Sequence, residues 1–441
     1  MTPATTWAAK KRRPKSRRNK SRIVAEKAAK GSMKDGGPRC GSPFFWGALS
    51  NGRCCRASMR CRMSDARTDP KMRQLLFALP FLLAATSAAA EGLFDLSWRE
   101  VAKGVFVGGR EDALRYPVVA NTTIVIGRRG VLVFDGGGYA IQGEQVLEKI
   151  RAETKKPVTH LVISHWHGDH HRGAFPIIEA FPEAEIIAHR FTCAAAADGP
   201  ERRVEEGEAE LGATYAAVKD AADKGVWFDG STLSDAEKAY FTRMVADFPE
   251  YGTQLARMRV LQPTRVIDET SIIDLGGKKA TLLYMGPANT AGDIALYLPK
   301  QKFLATGDIV VAPTPYGFGS YPRAWARVVR QLASLPAETI VPGHGAIMSD
   351  GAYLQKLAAL LDKAADQAEA QKNAEKPVFD FADDMDAFAE GDAVRARLFD
   401  MFFIEPIGAA ALNEAKGEAE KNEPLDGAVA DLCKPRVSGA E

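Results

Sequence analysis

Residues 159–171 read THLVISHWHGDHH, and five of the chain's seven histidines lie inside them: His160, His165, His167, His170 and His171. No other stretch constrains the fold as tightly, because an apolar run passes directly into a cluster of ligand-type side chains. Residues 158–165, VTHLVISH, form a nearly unbroken apolar run with the length of a buried strand. Side chains alternate in extended chain, so His165 and His167 face one side and can reach one cation. Gly168 then lets the chain turn, which brings Asp169 and His170 to a neighbouring position. Neutral imidazole and carboxylate are the ligands preferred by zinc and its neighbours among the transition metals. A solvated histidine-rich loop would have no need for a strand ending where the ligands begin.

The flanking sequence supplies more of the same architecture. Residues 121–138, NTTIVIGRRGVLVFDGGG, hold two β-rich runs, 122–126 and 131–134, joined by an Arg-Arg-Gly turn, a hairpin pattern that ends in Asp135 and three glycines. A helix is expected over about 142–154 and another buried strand over 183–189. Strand, helix and strand in alternation indicate an α/β fold.

The motif His165-x-His167-x-Asp169-His170, preceded by a strand and by the Asp135-Gly136-Gly137 turn, resembles the metallo-β-lactamase-fold superfamily. KFLATGDIVV (302–311) resembles that family's strand ending in a metal-bridging aspartate, here Asp308. IVPGHG (340–345) resembles its late strand with a terminal ligand histidine, here His344. The resemblance covers about residues 98–349, with its motifs in the family's order. It implies a four-layer αββα sandwich and zinc, one or two ions per chain. The first metal would sit on His165 and His167, the second on Asp169, His170 and His344, with Asp308 able to bridge. Asp169 would also orient an attacking water or accept its proton.

One position departs from the pattern. MGPANTAGDIALYLP (285–299) matches a segment in which the family carries a ligand histidine of the first metal, and here the position is Asn289. An amide oxygen is a weaker zinc ligand than imidazole. Four readings stay open: Asn289 ligates through its oxygen, it hydrogen-bonds a metal-bound water, only the second site fills, or the site is inactive. His160 and His171 are candidates to hold a ligand's other nitrogen, and are equally readable as a core residue and a helix-start residue. His189 reads as a packing residue.

Around this core, residues of about 191–270 form an insertion too long for a structureless loop. SDAE (234–237) has the spacing of a helix capping box, and 209–225 is Ala-rich and helical in pattern. The insertion is expected to cover the active-site face, with Trp227 and Phe228 as apolar wall or core. PTPYGFGSYP (313–322) reads as a shaped loop whose Tyr316, Phe318 and Tyr321 are candidates for substrate contact. Residues 350–441 read as a helical extension. Leu354, Leu357, Ala358, Leu361, Ala365 and Ala368 share one face that should dock on the sheet. The polar tail beyond Gly408 is expected to fray.

Charge divides the chain. Residues 1–71 hold 19 Lys and Arg against 4 Asp and Glu, whereas the remainder holds 39 against 52. The basic stretch shows neither helical nor strand period, and is read as disordered or as no part of the natural protein. It precedes MRQLLFALPFLLAATSAAAEG, in which Arg73, an apolar run of eleven residues and Ala88-Ala89-Ala90 have the layout of a signal peptide over 72–90. That run is shorter than the roughly 20 residues a membrane span needs, so no stable anchor is expected after cleavage. The location implied is periplasmic or secreted. Beyond residue 90 only Cys193 and Cys433 occur, and pairing and two free thiols are both open.

An acidic chain beyond the leader argues against nucleic acid, whose phosphates need concentrated Lys and Arg. The resemblance thus implies an exported metal-dependent hydrolase acting on a small ester, lactone, lactam or similar carbonyl substrate. A β-lactamase proper, and a non-catalytic metal-containing binding protein on the same fold, are the alternatives.

Overall fold

The computed structural model describes residues 92–198, 204–425, 427–429 and 433. The basic stretch 1–71 and the expected signal peptide 72–90 lie outside the described residues.

Two sheets form the centre. The first holds β1 (Ser97–Ala102), β2 (Val105–Gly109), β3 (Thr122–Ile126), β4 (Val131–Phe134), β5 (Val158–Val162), β6 (Glu185–His189) and β7 (Arg265–Ile267), in that spatial order. Neighbours are antiparallel through β4 and parallel from β4 to β7. The hairpin expected at 122–134 is β3–β4. The second sheet holds β8 (Ser271–Asp274), β9 (Lys279–Leu283), β10 (Ala295–Leu298), β11 (Phe303–Ala305) and β12 (Thr339–Val341), with only β11 and β12 parallel.

Strand alternation sorts the apolar residues into layers. In β4, Leu132 and Phe134 join a core with Val162, Ile187, Leu296, Phe303 and Val341, so this core lies between the sheets. Val131 and Val133 point the other way, into a core with Val146, Ile150 and Ile177. Those last residues belong to α1 (Ala140–Glu153) and α3 (Phe175–Ala180), which cover the outer face of the first sheet. Tyr297, Leu304 and Ile340 face outward from the second sheet against Trp325, Val329 and Leu332 of α7 (Pro322–Ala333). The result is the four-layer αββα arrangement. The central strands β4, β10 and β11 are apolar and buried along their whole length because both of their faces are covered.

The insertion is helical: α4 (Arg190–Asp198), α5 (Val204–Lys224) and α6 (Asp235–Leu255). The capping box is formed, with Ser234 accepting from the Glu237 amide and the Glu237 carboxylate accepting from the Ser234 amide. Trp227 is buried in the core of the insertion and stacks on Phe241, whereas Phe228 is 42% exposed.

α8 (Ala352–Gln371) buries Leu354, Leu357, Ala358, Leu361, Ala365 and Ala368, the face read from the sequence. It docks chiefly on α7 rather than on the sheet itself. α9 (Ala382–Ala389), α10 (Ala393–Phe399), a π-helical turn (Asp400–Ile404) and α11 (Glu405–Ala415) complete the extension. The expectation of a fraying tail beyond Gly408 needs correcting. α11 continues to Ala415, and Asn422 and Glu423 dock against the core of the molecule. A disulfide joins Cys193 of α4 to Cys433, Cα atoms 5.8 Å apart. Among the described residues no helix is long and apolar enough to cross a membrane.

Candidate metal centre

Strand ends assemble the site. Asp135 follows β4, the histidine-rich stretch follows β5, Asn289 lies between β9 and β10, Asp308 follows β11 and His344 follows β12. After β5 the chain bends at His165 and Trp166, is extended at His167, and then forms a short helix, α2 (Gly168–His171). The turn at Gly168 carries Asp169 and His170 back over the strand end. Close approach makes glycine necessary at two places. A β-carbon on Gly138 would overlap the Asp169 backbone, and one on Gly343 would overlap the Asp308 carboxylate.

The ligand-type atoms converge in two groups. In the first, His165 Nε2 lies 2.9 Å from His167 Nδ1 and 3.5 Å from Asp308 Oδ2. In the second, His170 Nε2 lies 3.1 Å from Asp308 Oδ1 and 3.7 Å from Asp169 Oδ2. His344 Nε2 lies 3.0 Å from Asp169 Oδ2 and 3.5 Å from Asp308 Oδ1. Three of these spacings are direct pairing distances of 2.9–3.1 Å, and the whole set is compact enough that His165, His170 and Asp308, and Asp169, His170 and His344, could each hold a cation. Asp308 gives one oxygen to each group, as a bridging carboxylate does.

Hydrogen bonding fixes which nitrogen faces inward. His170 Nδ1 donates to Asp135 Oδ2 at 2.9 Å, His165 Nδ1 lies 2.9 Å from Ser164 Oγ, and His344 Nδ1 donates to the Val119 carbonyl at 3.0 Å. In neutral His170 and His344 this leaves Nε2 as the lone-pair nitrogen aimed at the centre, whereas the Ser164 hydroxyl can either donate to or accept from His165 Nδ1. Asp135 Oδ1 also accepts from the Ser164 amide at 2.8 Å, which ties β4 to the histidine-rich stretch. The loop carrying His344 is held by Asn121, whose Nδ2 donates to Pro342 O and Gly345 O, both at 2.9 Å. Trp325 Nε1 donates to Ile309 O at 2.9 Å and so holds the backbone beside Asp308.

Three buried atoms at these strand ends make no hydrogen bond among the described residues: His170 Nε2 and Asp308 Oδ1, which face each other at 3.1 Å, and the Asn289 amide oxygen. Asn289 is fully buried, and its Nδ2 donates to the Tyr316 carbonyl at 2.6 Å. The amide orientation is thereby set and the oxygen is left as an acceptor without a donor. Buried polar atoms are otherwise almost always satisfied. The donor atoms of His165, His170 and Asp308, and of Asp169, His170 and His344, are close enough to hold a cation, and the buried Asn289 oxygen is chemically able to serve as a further donor.

Charge balance points the same way. Burial would raise the Asp308 and Asp169 carboxyls, but the facing imidazoles of His170 and His344 hold both below the usual carboxylate range. Burial would lower His170 and His344, but the same carboxylates, with Asp135 acting on His170, hold both above the usual imidazole value. Burial, reinforced by His170, pushes His165 down to about 3. The centre thus gathers buried negative charge that a divalent cation would compensate in place of protons.

Other expectations resolve individually. His171 is buried and donates through Nε2 to the Trp166 carbonyl at 3.0 Å, bracing the metal-binding stretch, and burial pushes it down to about 3. His160 pairs with Thr159 Oγ1 and faces Glu185, away from the centre. His189 is a packing residue, stacked on Tyr284 with centroids 4.0 Å apart. Tyr316 sits edge-on to His167 at 5.6 Å, and Phe318 packs on Tyr316 at 4.9 Å, so both flank the first group. Tyr321 departs from its expected role in substrate contact. It is only 8% exposed, its amide donates to Ala288 O, and its hydroxyl bonds to Glu423. Asp135, Ser164, Asn121 and Glu423 were not singled out as site residues from the sequence. For Asp135, the signal was its place at a strand end before three glycines.

Residues 115–344 match the family model of the metallo-beta-lactamase superfamily, and the chain belongs to that family. Its members among curated proteins include the linear primary-alkylsulfatase of Pseudomonas sp., 22% identical over 234 residues, which are 49% of this chain and 39% of that protein. The acyl-coenzyme A thioesterase MBLAC2 of Bos taurus is 28% identical over 139 residues, 30% of this chain and 48% of that protein. The chain therefore spans less than half the length of these curated relatives. Among solved structures, a metallo-beta-lactamase from Pontibacter korlensis is 19% identical over 60% of this chain and 99% of that one, with a TM-score of 0.41.

Proposed function

We propose that this superfamily hydrolase binds two zinc ions and uses them to cleave a small ester, lactone, lactam or similar carbonyl substrate outside the cytoplasm. The observation that carries the reading is Asp308, whose two oxygens face separate donor groups, and the Asn289 oxygen, buried without a hydrogen bond on the loop between β9 and β10, supports it. Two relatives named for thioester and sulfate-ester hydrolysis support hydrolytic chemistry. The leader pattern at 72–90 and the Cys193–Cys433 disulfide support an oxidising compartment.

The cations, when bound, supply Lewis acidity toward the substrate carbonyl and make water more acidic. His165, His167, Asn289 and Asp308 would hold one, and Asp169, His170, His344 and Asp308 the other. Asp169 is the most open of the acidic groups, its side chain 21% exposed, so it can orient an attacking water and accept its proton. Asp135 and the Val119 carbonyl keep His170 and His344 in the ligating tautomer. Tyr316 and Phe318 offer apolar surface to the non-reacting part of the substrate.

The test is turnover of an ester, lactone and lactam panel by the zinc-loaded chain and its Asp169→Ala variant. The variant is expected to lose on the order of 100- to 10,000-fold in kcat. Absence of turnover with every class, or turnover untouched by the substitution, would refute the hydrolytic role and favour a binding protein.

A further inference from the structure

Glu423 lies far along the chain from every ligand, on the segment that follows α11 and a short 3-10 turn (Ala419–Lys421). Its carboxylate nevertheless reaches the loops around the first metal group. Oε1 accepts from Trp166 Nε1 and Oε2 from the Ala291 amide, both at 2.6 Å, and the Tyr321 hydroxyl bonds to the same carboxylate. Trp166 stands between His165 and His167. Ala291 stands two residues beyond Asn289. Tyr321 closes the loop whose Tyr316 carbonyl fixes the Asn289 amide. One carboxylate thus ties together the three loops that carry or orient the first group.

The second group is held differently: His170 Nδ1 donates to Asp135 and His344 Nδ1 to the Val119 carbonyl, and among the described residues neither histidine is hydrogen-bonded to the tail. The tail itself is held on both sides of Glu423. Asn422 donates to Ser320 O at 2.7 Å, and Cys433 is bonded to Cys193. The 313–322 loop receives the tail at Gly319, where a β-carbon would crowd Asn422 O and Glu423 Cγ at 3.2 Å.

We propose that Glu423 is a positioning residue for the first metal group, His165–His167–Asn289. This rests on the two-cation reading above. The amide ligand is the weak member of that group, and it works only if its loop is held against the histidines. The tail carboxylate supplies that hold, whereas the second group is built without it.

The experiment is a chelator titration of the zinc-loaded chain that resolves two binding steps, run on wild type, Glu423→Ala, Glu423→Gln and Trp166→Phe. Thermal unfolding of the metal-free chains runs alongside. Site identity comes from Asp169→Ala, which removes a ligand of the second group alone. Glu423→Ala is expected to weaken one step by about 10- to 100-fold, the usual effect of losing support around a ligand. The step left by Asp169→Ala is the one that should weaken, and the other should move less than twofold. Gln offers one acceptor in place of two, so Glu423→Gln should fall between. Trp166→Phe removes one donor from the opposite side and should do the same if Glu423→Ala fails to fold. Equal loss at both steps would make the tail a general scaffold and overturn the proposal, as would loss at neither. A wild-type chain that binds fewer than two ions would instead sink the functional reading itself.

Discussion

Replacing Asp135 with Asn changes one atom and should separate the support of the metal centre from its ligands. Asp135 is fully buried, with Oδ1 accepting from the Ser164 amide at 2.8 Å and Oδ2 from His170 Nδ1 at 2.9 Å. Both partners donate. An amide has one acceptor and one donor, so in either orientation one N–H of the protein faces an N–H of the side chain. If the Ser164 contact survives, His170 is driven toward the tautomer with its proton on Nε2, the atom that faces Asp308 and the second group. The backbone gives no competing explanation, because Asp135 has φ 56° and Asn tolerates that left-handed conformation well. A hydrogen bond to a charged group is worth about 1.5–3 kcal/mol, or roughly 10- to 150-fold in a binding constant. The assay is competition for zinc with a chromophoric chelator at pH 7.5, following the step assigned to Asp169, His170 and His344. Ser164→Ala serves as a control, because it keeps the amide bond to Asp135. Affinity unchanged within twofold in a folded Asp135→Asn chain would refute the argument that this carboxylate sets the His170 tautomer.

Three further outcomes follow from other parts of the structure. Asn289→Ala removes the unpartnered oxygen and is expected to weaken only the first zinc step, by about tenfold or more, while Asn289→His strengthens it; equal behaviour of the two would exclude position 289 as a ligand. Trp325→Ala empties a fully buried site and breaks the bond to Ile309 O, and should cost about 3–5 kcal/mol in denaturant unfolding of the metal-free chain; a cost under about 1 kcal/mol would mean that α7 is not anchored there. Burial pushes His189 down to about 4, so the unfolded chain takes up its proton first as pH falls. Its presence should therefore lower stability progressively from about pH 6.5 to pH 4, by up to about 3 kcal/mol, with no effect above that window. The difference in unfolding free energy between wild type and His189→Gln, measured from pH 7.5 to pH 4.5, should show that slope, and a flat difference would refute it.

The parts of this molecule legible in the sequence are those in which neighbours along the chain are neighbours in space. The β3–β4 hairpin, β5 and β6 show as apolar runs because both faces of each strand are covered. The candidate ligands stand out in the sequence because each sits near the end of such a run, and His165, His167, Asp169 and His170 lie within six residues of one another. What could not be read is contact between distant segments. Val119 holds His344 through a backbone carbonyl, which leaves no mark on residue type. Glu423 reads as one acidic residue in an acidic tail, and only the fold brings it to Trp166, 257 positions away. Tyr321 looked like its neighbours Tyr316 and Phe318, yet the start of α7 turns it inward to that carboxylate. The Cys193–Cys433 bond likewise depends on the path of the tail, which composition alone suggested would fray.

The central claim is a paired metal centre completed by an amide ligand and bridged by Asp308. Its most direct test is zinc per chain, by elemental analysis after gel filtration in buffer with micromolar free zinc, on wild type and on Asp308→Ala. The account predicts two zinc ions in the wild type and one or none once the bridge is removed. A wild type with a single ion, or an Asp308→Ala chain that still holds two, would contradict it.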